Sequence, residues 1–220
     1  MKRLGQWRRA RLLAPGLLAV ALCAGNAIAQ EHLLARSPAP HAGAAIELSI
    51  WRTISLGSAK GVDAYRDALD AEGIKIGDSA DEILGRPAFF YARAPKQVEL
   101  VVLSSAELGV EADAAPHAEV YRRAKQMGLE LCPAEVGPQL GLEYRDQPLG
   151  EALDIAMEPV ATYAGEPTIL ALVNFGTGLA LIGADGRLDS TVPLARRFVF
   201  ALPPRERLEA GPSVIGIVPN

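Results

Sequence analysis

The spacing of apolar residues changes near the middle of this 220-residue chain. In the first half they recur at three and four positions, as in Val62, Tyr65 and Leu69, which is the pattern of an amphipathic helix. From Gln139 onward they alternate with polar residues, and turn signals separate short apolar runs, as in antiparallel strands. The chain is therefore predicted to fold as α+β, with three short helices in the N-terminal half packed on a mainly antiparallel sheet formed largely by the C-terminal half.

Each predicted helix has a start or stop signal. The first ends at Gly73, the second lies between Asp78 and Gly85, and the third runs from Pro116 to Gly128. The first two helices resemble a helix-turn-helix in outline. The acidic charge and the export signal described below argue against DNA binding, so a packing role is predicted for them.

The predicted strands differ in how they are covered. One strand begins at Ile46. The run QVELVVLS at 97–104 is too apolar for a strand with one wet face, so it is predicted to lie in the centre of the sheet with both faces covered. Residues 89–91 are its predicted hairpin partner. Further strands of an antiparallel meander are expected at 140–144, 153–157, 168–174, 179–182 and 198–200. The sequence GTG at 176–178 lies between two of them without a following helix, which indicates a hairpin turn and not a phosphate loop.

The first 29 residues have the order of a secretory signal peptide. A basic segment, an apolar segment at 12–25 and the small-residue pattern AIA at 27–29 follow one another. The apolar segment is interrupted by Pro15 and Gly16 and is shorter than the roughly 20 residues that cross a bilayer. Cleavage, export to the periplasm or the medium, and no stable membrane insertion are predicted. The general and twin-arginine export routes both remain open.

The remaining chain divides into three parts. Residues 30–45 are rich in Ala, Pro and Gly and are predicted to be a flexible linker, 46–203 a single α+β domain, and 204–220 a C-terminal tail. His32 and His41 lie in the linker with no third ligand nearby, so neither a metal site nor another cofactor is predicted.

Charge and cysteine content exclude two classes of protein. The whole chain has a net charge of −4, and loss of the five basic residues of segment 1–29 changes it to −9. Such an acidic chain lacks the basic surface of a nucleic-acid-binding protein. Cys132 is the one cysteine left after cleavage, so an intramolecular disulfide is excluded.

The stretch LELCPAEVGPQLGLEYRDQPLGE at 129–151 joins the two halves and is the predicted location of a functional site. Its candidate binding residues are Glu135, Glu143, Tyr144, Arg145 and Asp146. A segment that crosses between two layers has few partners for its backbone groups. The side chains of Glu135, Tyr144 and Arg145 are therefore expected to meet around one crevice.

Two hypotheses about function follow. The first is a non-catalytic exported module that binds a small molecule or a protein, because the G-x-S-x-G, H-E-x-x-H and paired-cysteine motifs are all absent from the sequence. The alternative is a carboxylate-dependent hydrolase of cell-envelope or extracellular polymers, which needs two acids facing one cleft. Its candidate acids are Glu135, Glu143, Asp146, Glu151 and Glu158.

Two interpretations of Cys132 are open from the residue types alone: a nucleophilic pair with His117, or a buried structural thiol. About 18 Å of predicted helix lies between the two residues. The spacing therefore favours a buried and unreactive Cys132.

Several runs resemble a family of uncharacterised bacterial proteins. They include WRTISLGS, YRRAKQMGLELCPAEVGPQLGLEYRDQPLGE and RFVFALP, and the resemblance extends over residues 51–203 with MGLELCPAEVGPQL as its most specific part. Gly141 stands where the family pattern has a basic residue, so no ionic role is expected at that position. The resemblance implies a shared domain with the central stretch as its signature, and it implies no activity.

The predicted signal peptide can be tested directly. We expect the mature protein to begin at Gln30, because residues 27–29 have the small-residue pattern that a signal peptidase cleaves. Intact-mass measurement of protein recovered from the host envelope or medium checks this. A recovered mass that includes residues 1–29 would contradict it.

Overall fold

An eight-stranded sheet lies at the centre of the computed structural model, which describes residues 48–204. The predicted signal peptide, the linker with His32 and His41, and residues 205–220 lie outside the described residues. The strands of the described part are β1 (Arg52–Leu56), β2 (Lys75–Ile76), β3 (Lys96–Ser104), β4 (Ala114–Pro116), β5 (Ala152–Ile155), β6 (Val160–Ala161), β7 (Pro167–Asn174), β8 (Leu179–Asp185), β9 (Thr191–Pro193) and β10 (Arg197–Ala201). The helices are α1 (Val62–Ala71), α2 (Asp78–Leu84), α3 (His117–Gln126) and α4 (Val136–Glu143).

The sheet is mainly antiparallel, as predicted. Its order is β1-β3-β10-β5-β7-β8-β2, and β6 pairs with β7 on the side that β5 also uses. Five of its pairings are antiparallel, while β10–β5 and β2–β8 are parallel. The last strand lies between β3 and β5, so the predicted simple meander is wrong. A separate ribbon joins β4 to β9.

Both faces of the sheet are covered. On β3, Val98 and Leu100 pack with α1, α2 and α4, whereas Val101 and Leu103 pack with α3 and the β4–β9 ribbon. Strand β10 alternates in the same way, with Val199 on the α4 face and Phe198 on the α3 face. The prediction that β3 is covered on both sides is therefore confirmed, and the α+β class is confirmed with it.

The strand predicted at 140–144 is wrong, because these residues belong to α4 and the residue that follows it. Leu140 and Tyr144 are four residues apart, so both face the core from one side of a helix, and both are buried. Leu142 between them is only partly buried. The described part of the chain therefore has four helices where three were predicted, and the fourth lies in the central stretch.

Residues 89–91 do not form the predicted hairpin partner of β3. Strand β3 pairs instead with β1 and β10. In the segment before β3, the backbone N–H of Ala92 donates to the carboxylate of Glu135, 2.6 Å away. A side chain therefore satisfies a donor that a neighbouring strand would otherwise bind.

Helix α4 lies unusually close to the sheet. Its residues 136–141 are all buried. A Cβ atom built on Gly137 would lie 2.5 Å from Cδ1 and 3.1 Å from Cβ of Leu170, on β7. Only glycine at this position leaves room for the backbone of α4. Pro138 is tolerated because it occupies the first turn, where its missing N–H has no helical partner.

We expect Gly137→Ala to lower the free energy of unfolding by about 1–3 kcal/mol, because the added methyl group overpacks the contact with Leu170. Denaturant unfolding monitored by circular dichroism measures this. The control is Gly85→Ala, whose Cβ would meet its nearest atoms at 3.4 Å and whose φ is −79°. A loss for Gly137→Ala no larger than for the control would contradict the proposed close contact.

Candidate functional site

The carboxylate of Glu135 is the most enclosed charged group of the central stretch, with only 1% of the residue exposed. Its Oε1 accepts the backbone N–H of Gly57 at 2.8 Å and the hydroxyl of Tyr65 at 2.7 Å. Its Oε2 accepts the backbone N–H of Ala92 at 2.6 Å. No Lys or Arg of the described residues pairs with it. Three neutral donors therefore replace the water that the carboxylate loses on folding.

Helix α4 extends this network toward solvent. Gln139, one turn after Glu135, has its Oε1 3.0 Å from both the Tyr65 hydroxyl and the Ser58 hydroxyl. Its Nε2 donates to Oε1 of Glu143, one turn further on, at 2.6 Å. Residues four apart share one helix face, which aligns the three side chains. We call Tyr65, Glu135, Gln139 and Glu143 the Glu135 cluster.

The environment of Tyr65 keeps its hydroxyl protonated. Burial of the ring, followed by the hydrogen bond to Glu135, raises the pKa of Tyr65 well above its usual value. The hydroxyl therefore remains a donor at any pH at which the protein folds. Tyr65 therefore acts in the Glu135 cluster as a hydrogen-bond donor to Glu135 and Gln139.

A second cluster forms around Arg52 at the start of β1. Its guanidinium Cζ lies 4.9 Å from the ring centre of Tyr144 and 5.3 Å from that of Trp51, and the two rings pack edge to face at 4.9 Å. Arg52 also contacts Asp146 at 3.5 Å and donates to the backbone carbonyl of Glu143 at 3.4 Å. The structure thus brings Glu143, Tyr144 and Asp146 together at the end of α4, because all three contact Arg52.

Arg145 does not join the other candidate residues. It forms an ion pair with Glu72 at 2.5 Å on the surface, where both side chains are nearly half exposed. Glu135 and Arg145 lie at opposite ends of α4. The expectation that they meet is wrong, because it depended on reading residues 140–144 as a strand that turns back on the preceding segment.

The other acids considered for catalysis lie in separate surroundings. Glu151 accepts the Tyr144 hydroxyl at 2.8 Å and also pairs with Arg197. Burial, followed by the hydrogen bond to Glu151, raises the pKa of Tyr144 to about 12. Glu158 is exposed. Asp154, which was not singled out from the sequence, is buried on β5 and receives two hydrogen bonds from Arg196, at 2.6 and 2.5 Å.

Cys132 and His117 do not form a catalytic pair. Cys132 is buried on the α4 face, where its Sγ lies 3.3 Å from the carbonyl oxygen of Val199 and burial raises the pKa of the thiol. His117 packs on Phe198, on the α3 face, with ring centres 5.8 Å apart. The sheet separates the two residues, and the prediction of a buried, unreactive thiol is confirmed as far as burial is concerned.

A surface cleft of about 500 Å³ lies beside the Glu135 cluster, between α1 and the segment that follows α2. Its lining includes Arg66, Arg86, Phe89, Phe90, Tyr91 and Arg93. Phe90 is 78% exposed and Tyr91 is 40% exposed, which is unusual for large apolar side chains. We call this the Arg86 cleft.

Glu135 holds the wall of the Arg86 cleft in place. Its bonds to Gly57 and Ala92 tie the end of β1 to the segment that carries Phe90, Tyr91 and Arg93. The two segments touch so closely that a Cβ atom on Gly57 would lie 2.4 Å from the carbonyl oxygen of Ala94, and Gly57 has a φ of 77°. The central stretch therefore supports a site whose surface is made by other parts of the chain.

The comparisons with known proteins identify no relative, since no family model, curated protein or solved structure matches this chain. The resemblance to an uncharacterised bacterial family stays a prediction.

None of the helices within residues 48–204 is long and apolar enough to cross a bilayer. Within the same residues, no three His, Cys, Asp or Glu side chains are grouped as a metal site.

Sequence reasoning missed Tyr65, Gln139 and Arg52 as members of these clusters. A signal existed for Gln139, because Glu135, Gln139 and Glu143 have the four-residue spacing of one helix face. Tyr65 lies 70 residues from Glu135 in sequence, and the hydrogen bond between them depends on the tertiary fold. The Arg86 cleft was missed because residues 89–91 were predicted to be a strand, and because others of its lining residues come from α1 and the end of α2, which only the tertiary fold brings beside them.

We expect Glu135→Gln to lower the free energy of unfolding by about 1–3 kcal/mol. The amide can keep one acceptor oxygen, but its NH₂ group then faces the N–H of Ala92 or the donors of Gly57 and Tyr65. Denaturant unfolding measures the loss, and hydrogen exchange at the Ala92 amide should accelerate. Glu143→Gln is the matched control because Glu143 is only partly buried. An equal or smaller loss for Glu135→Gln would contradict the assigned role.

Proposed function

We propose that the protein is an exported, non-catalytic binding module whose ligand site is the Arg86 cleft, with the Glu135 cluster as its rigid support. The basic, apolar and small-residue order of residues 1–29 supports export. The single observation that supports a binding role is the exposure of large apolar side chains around one concave surface. In this proposal the candidate residues of the central stretch have a supporting role, because they hold the wall of the cleft and the adjoining end of α4 in place.

Two exposed aromatic side chains line this cleft, and a third lies close to it. Of the seven large apolar residues that are exposed among the described residues, Phe90 and Tyr91 line the cleft. A third, Tyr163, is 76% exposed and lies under Arg86, whose Cζ is 4.5 Å from its ring centre. Exposed apolar groups that gather around a concave surface are typical of ligand sites. The volume of about 500 Å³ fits a small molecule.

The carboxylates named for hydrolysis do not line this cleft. Glu135 is enclosed and bound by three donors, Glu143 and Glu151 are bound to neighbours, and Asp146 is exposed beside Arg52. A hydrolase of the carboxylate type needs two acids across one cleft, with one of them able to hold a proton. The arrangement of these four residues favours the binding module.

One observation favours the hydrolase as a second candidate. Glu99 and Glu130 line a different cleft of about 590 Å³, beside Leu131, Leu202 and Pro203. Two acids that face one cleft are the feature that hydrolysis of a polymer requires. Both glutamates make further interactions. They were not among the acids named from the sequence.

Binding at the Arg86 cleft can be tested by amide NMR on the mature protein. We expect benzamide, benzoate and phenyl phosphate, titrated to millimolar concentrations, to shift the amides of residues 90–93 more than those of 130–131 and 201–202. In parallel, incubation with purified peptidoglycan should release no soluble fragments. Shifts that centre on the Glu99 and Glu130 cleft would contradict the proposed site. Release of fragments that is lost in Glu130→Gln would overturn the non-catalytic role.

A further inference from the structure

Two arginines of the Arg86 cleft lack an acidic partner within residues 48–204. The described residues contain ten arginines, and eight of these form an ion pair with Asp or Glu. The two without an ion pair among the described residues are Arg86 and Arg93, and both line the same cleft. Among the described residues, pairing of arginine with an acid is the rule, and the two exceptions lie at one place.

Neighbouring acids do not neutralise these arginines, because they bind other groups. Glu82, one helical turn before Arg86, accepts the backbone N–H of Tyr163. Asp63 and Asp81 both bind Arg66, at 2.9 and 2.6 Å, and a third donor of Arg66 binds the backbone carbonyl of Asp81 at 3.0 Å. The charge of Arg66 is therefore paired with two carboxylates. The positive charge available to a ligand comes from Arg86 and Arg93.

The orientation of Arg86 is fixed by an aromatic ring. Its guanidinium lies over Tyr163, and such stacking holds the planar group without using its N–H donors. A guanidinium with free, oriented donors binds carboxylate or phosphate oxygens through paired hydrogen bonds. Phe90 and Tyr91 supply flat apolar surface in the same cleft.

We infer that the Arg86 cleft binds a small oxyanion carried on a flat apolar frame, with Arg86 and Arg93 holding the carboxylate or phosphate and with Phe90 and Tyr91 packing against the frame. This inference rests on the proposed function, because it names the ligand class of the same site. The unpaired arginines determine the anionic part of the ligand. The exposed rings determine the apolar part.

Four probes separate the two parts of this ligand class. Benzoate and phenyl phosphate carry both an oxyanion and a ring, benzamide carries the ring alone, and inorganic phosphate carries the anion alone. We expect the first two to bind more tightly than either of the others, and the stronger of the two identifies carboxylate or phosphate as the preferred group. Raising the salt from about 20 mM to about 200 mM should weaken benzoate and leave benzamide unchanged.

Matched variants assign the effect to the arginines. Arg86→Gln and Arg93→Gln should each weaken benzoate by about five- to tenfold, the range for one charge-assisted hydrogen bond, and leave benzamide within about twofold. Arg122→Gln removes a positive charge from the surface of α3 and should change neither. Arg93 is exposed, so its substitution leaves the folded state intact, and the melting temperature checks this.

The outcomes separate this inference from the proposed function. If benzamide shifts the amides of the cleft with an affinity equal to that of benzoate, or if Arg93→Gln leaves benzoate binding unchanged, the cleft remains a binding site and the oxyanion inference is overturned. If none of the four probes shifts the amides of residues 90–93, the proposed site is overturned as well. Loss of benzoate binding in Arg122→Gln would also overturn the assignment to Arg86 and Arg93.

Discussion

Burial of the Glu135 carboxylate without a cation is the constraint on which the rest of the structure depends. Removal of a carboxylate from water costs several kcal/mol, so its acceptor sites have to be used by other donors. The donors belong to Ala92, Tyr65 and Gly57, which are 43, 70 and 78 residues away in sequence. Three distant segments therefore have to arrive together at the start of α4. The Arg86 cleft is a consequence, because two of these segments line it and the third, at Gly57, supports its wall.

Helix α4 gains its position from the way in which the sheet is assembled. The N-terminal strands β1 and β3 join the C-terminal strands β5, β7 and β8 through β10, the last strand of the described chain. Helix α4 contacts β1, β7 and β8, and so it spans both parts of the sheet. Gly137 allows this helix to lie against Leu170. In the folded sheet, β10 connects β1 and β3 to the strands under α4, which couples the site to a contact between distant parts of the sequence.

The elements that sequence reasoning found are those with local signals. Helices α1 to α3, strand β3 and the β7–β8 hairpin follow from the spacing of apolar residues and from glycine or proline at their ends. Helix α4 was missed because Leu140, Leu142 and Tyr144 fit a strand pattern, and because Gly137, Pro138 and Gly141 are poor helix formers that only tertiary packing explains. Of the candidate residues, Glu135, Glu143, Tyr144 and Asp146 lie in two adjoining clusters, whereas Arg145 pairs with Glu72 elsewhere. The sequence could not predict this grouping, because the partners of the four clustered residues belong to β1 and α1, which are distant in sequence.

Within residues 48–204, the buried acids and the unpaired arginines are separated in a way that bears on which anions reach the cleft. The buried acids Glu135 and Asp154 are satisfied inside the protein, while the unpaired guanidinium groups of Arg86 and Arg93 face a surface cleft. The surrounding chain is acidic, with a net charge of −4 before any cleavage. A long polyanion interacts with the whole surface and is repelled by it, whereas a small anion responds mainly to charges within about 10 Å. For the proposed ligand class, this distribution of charge favours small oxyanions over acidic polymers, because a small molecule in the cleft responds mainly to the charges nearest to it, which include the two arginines.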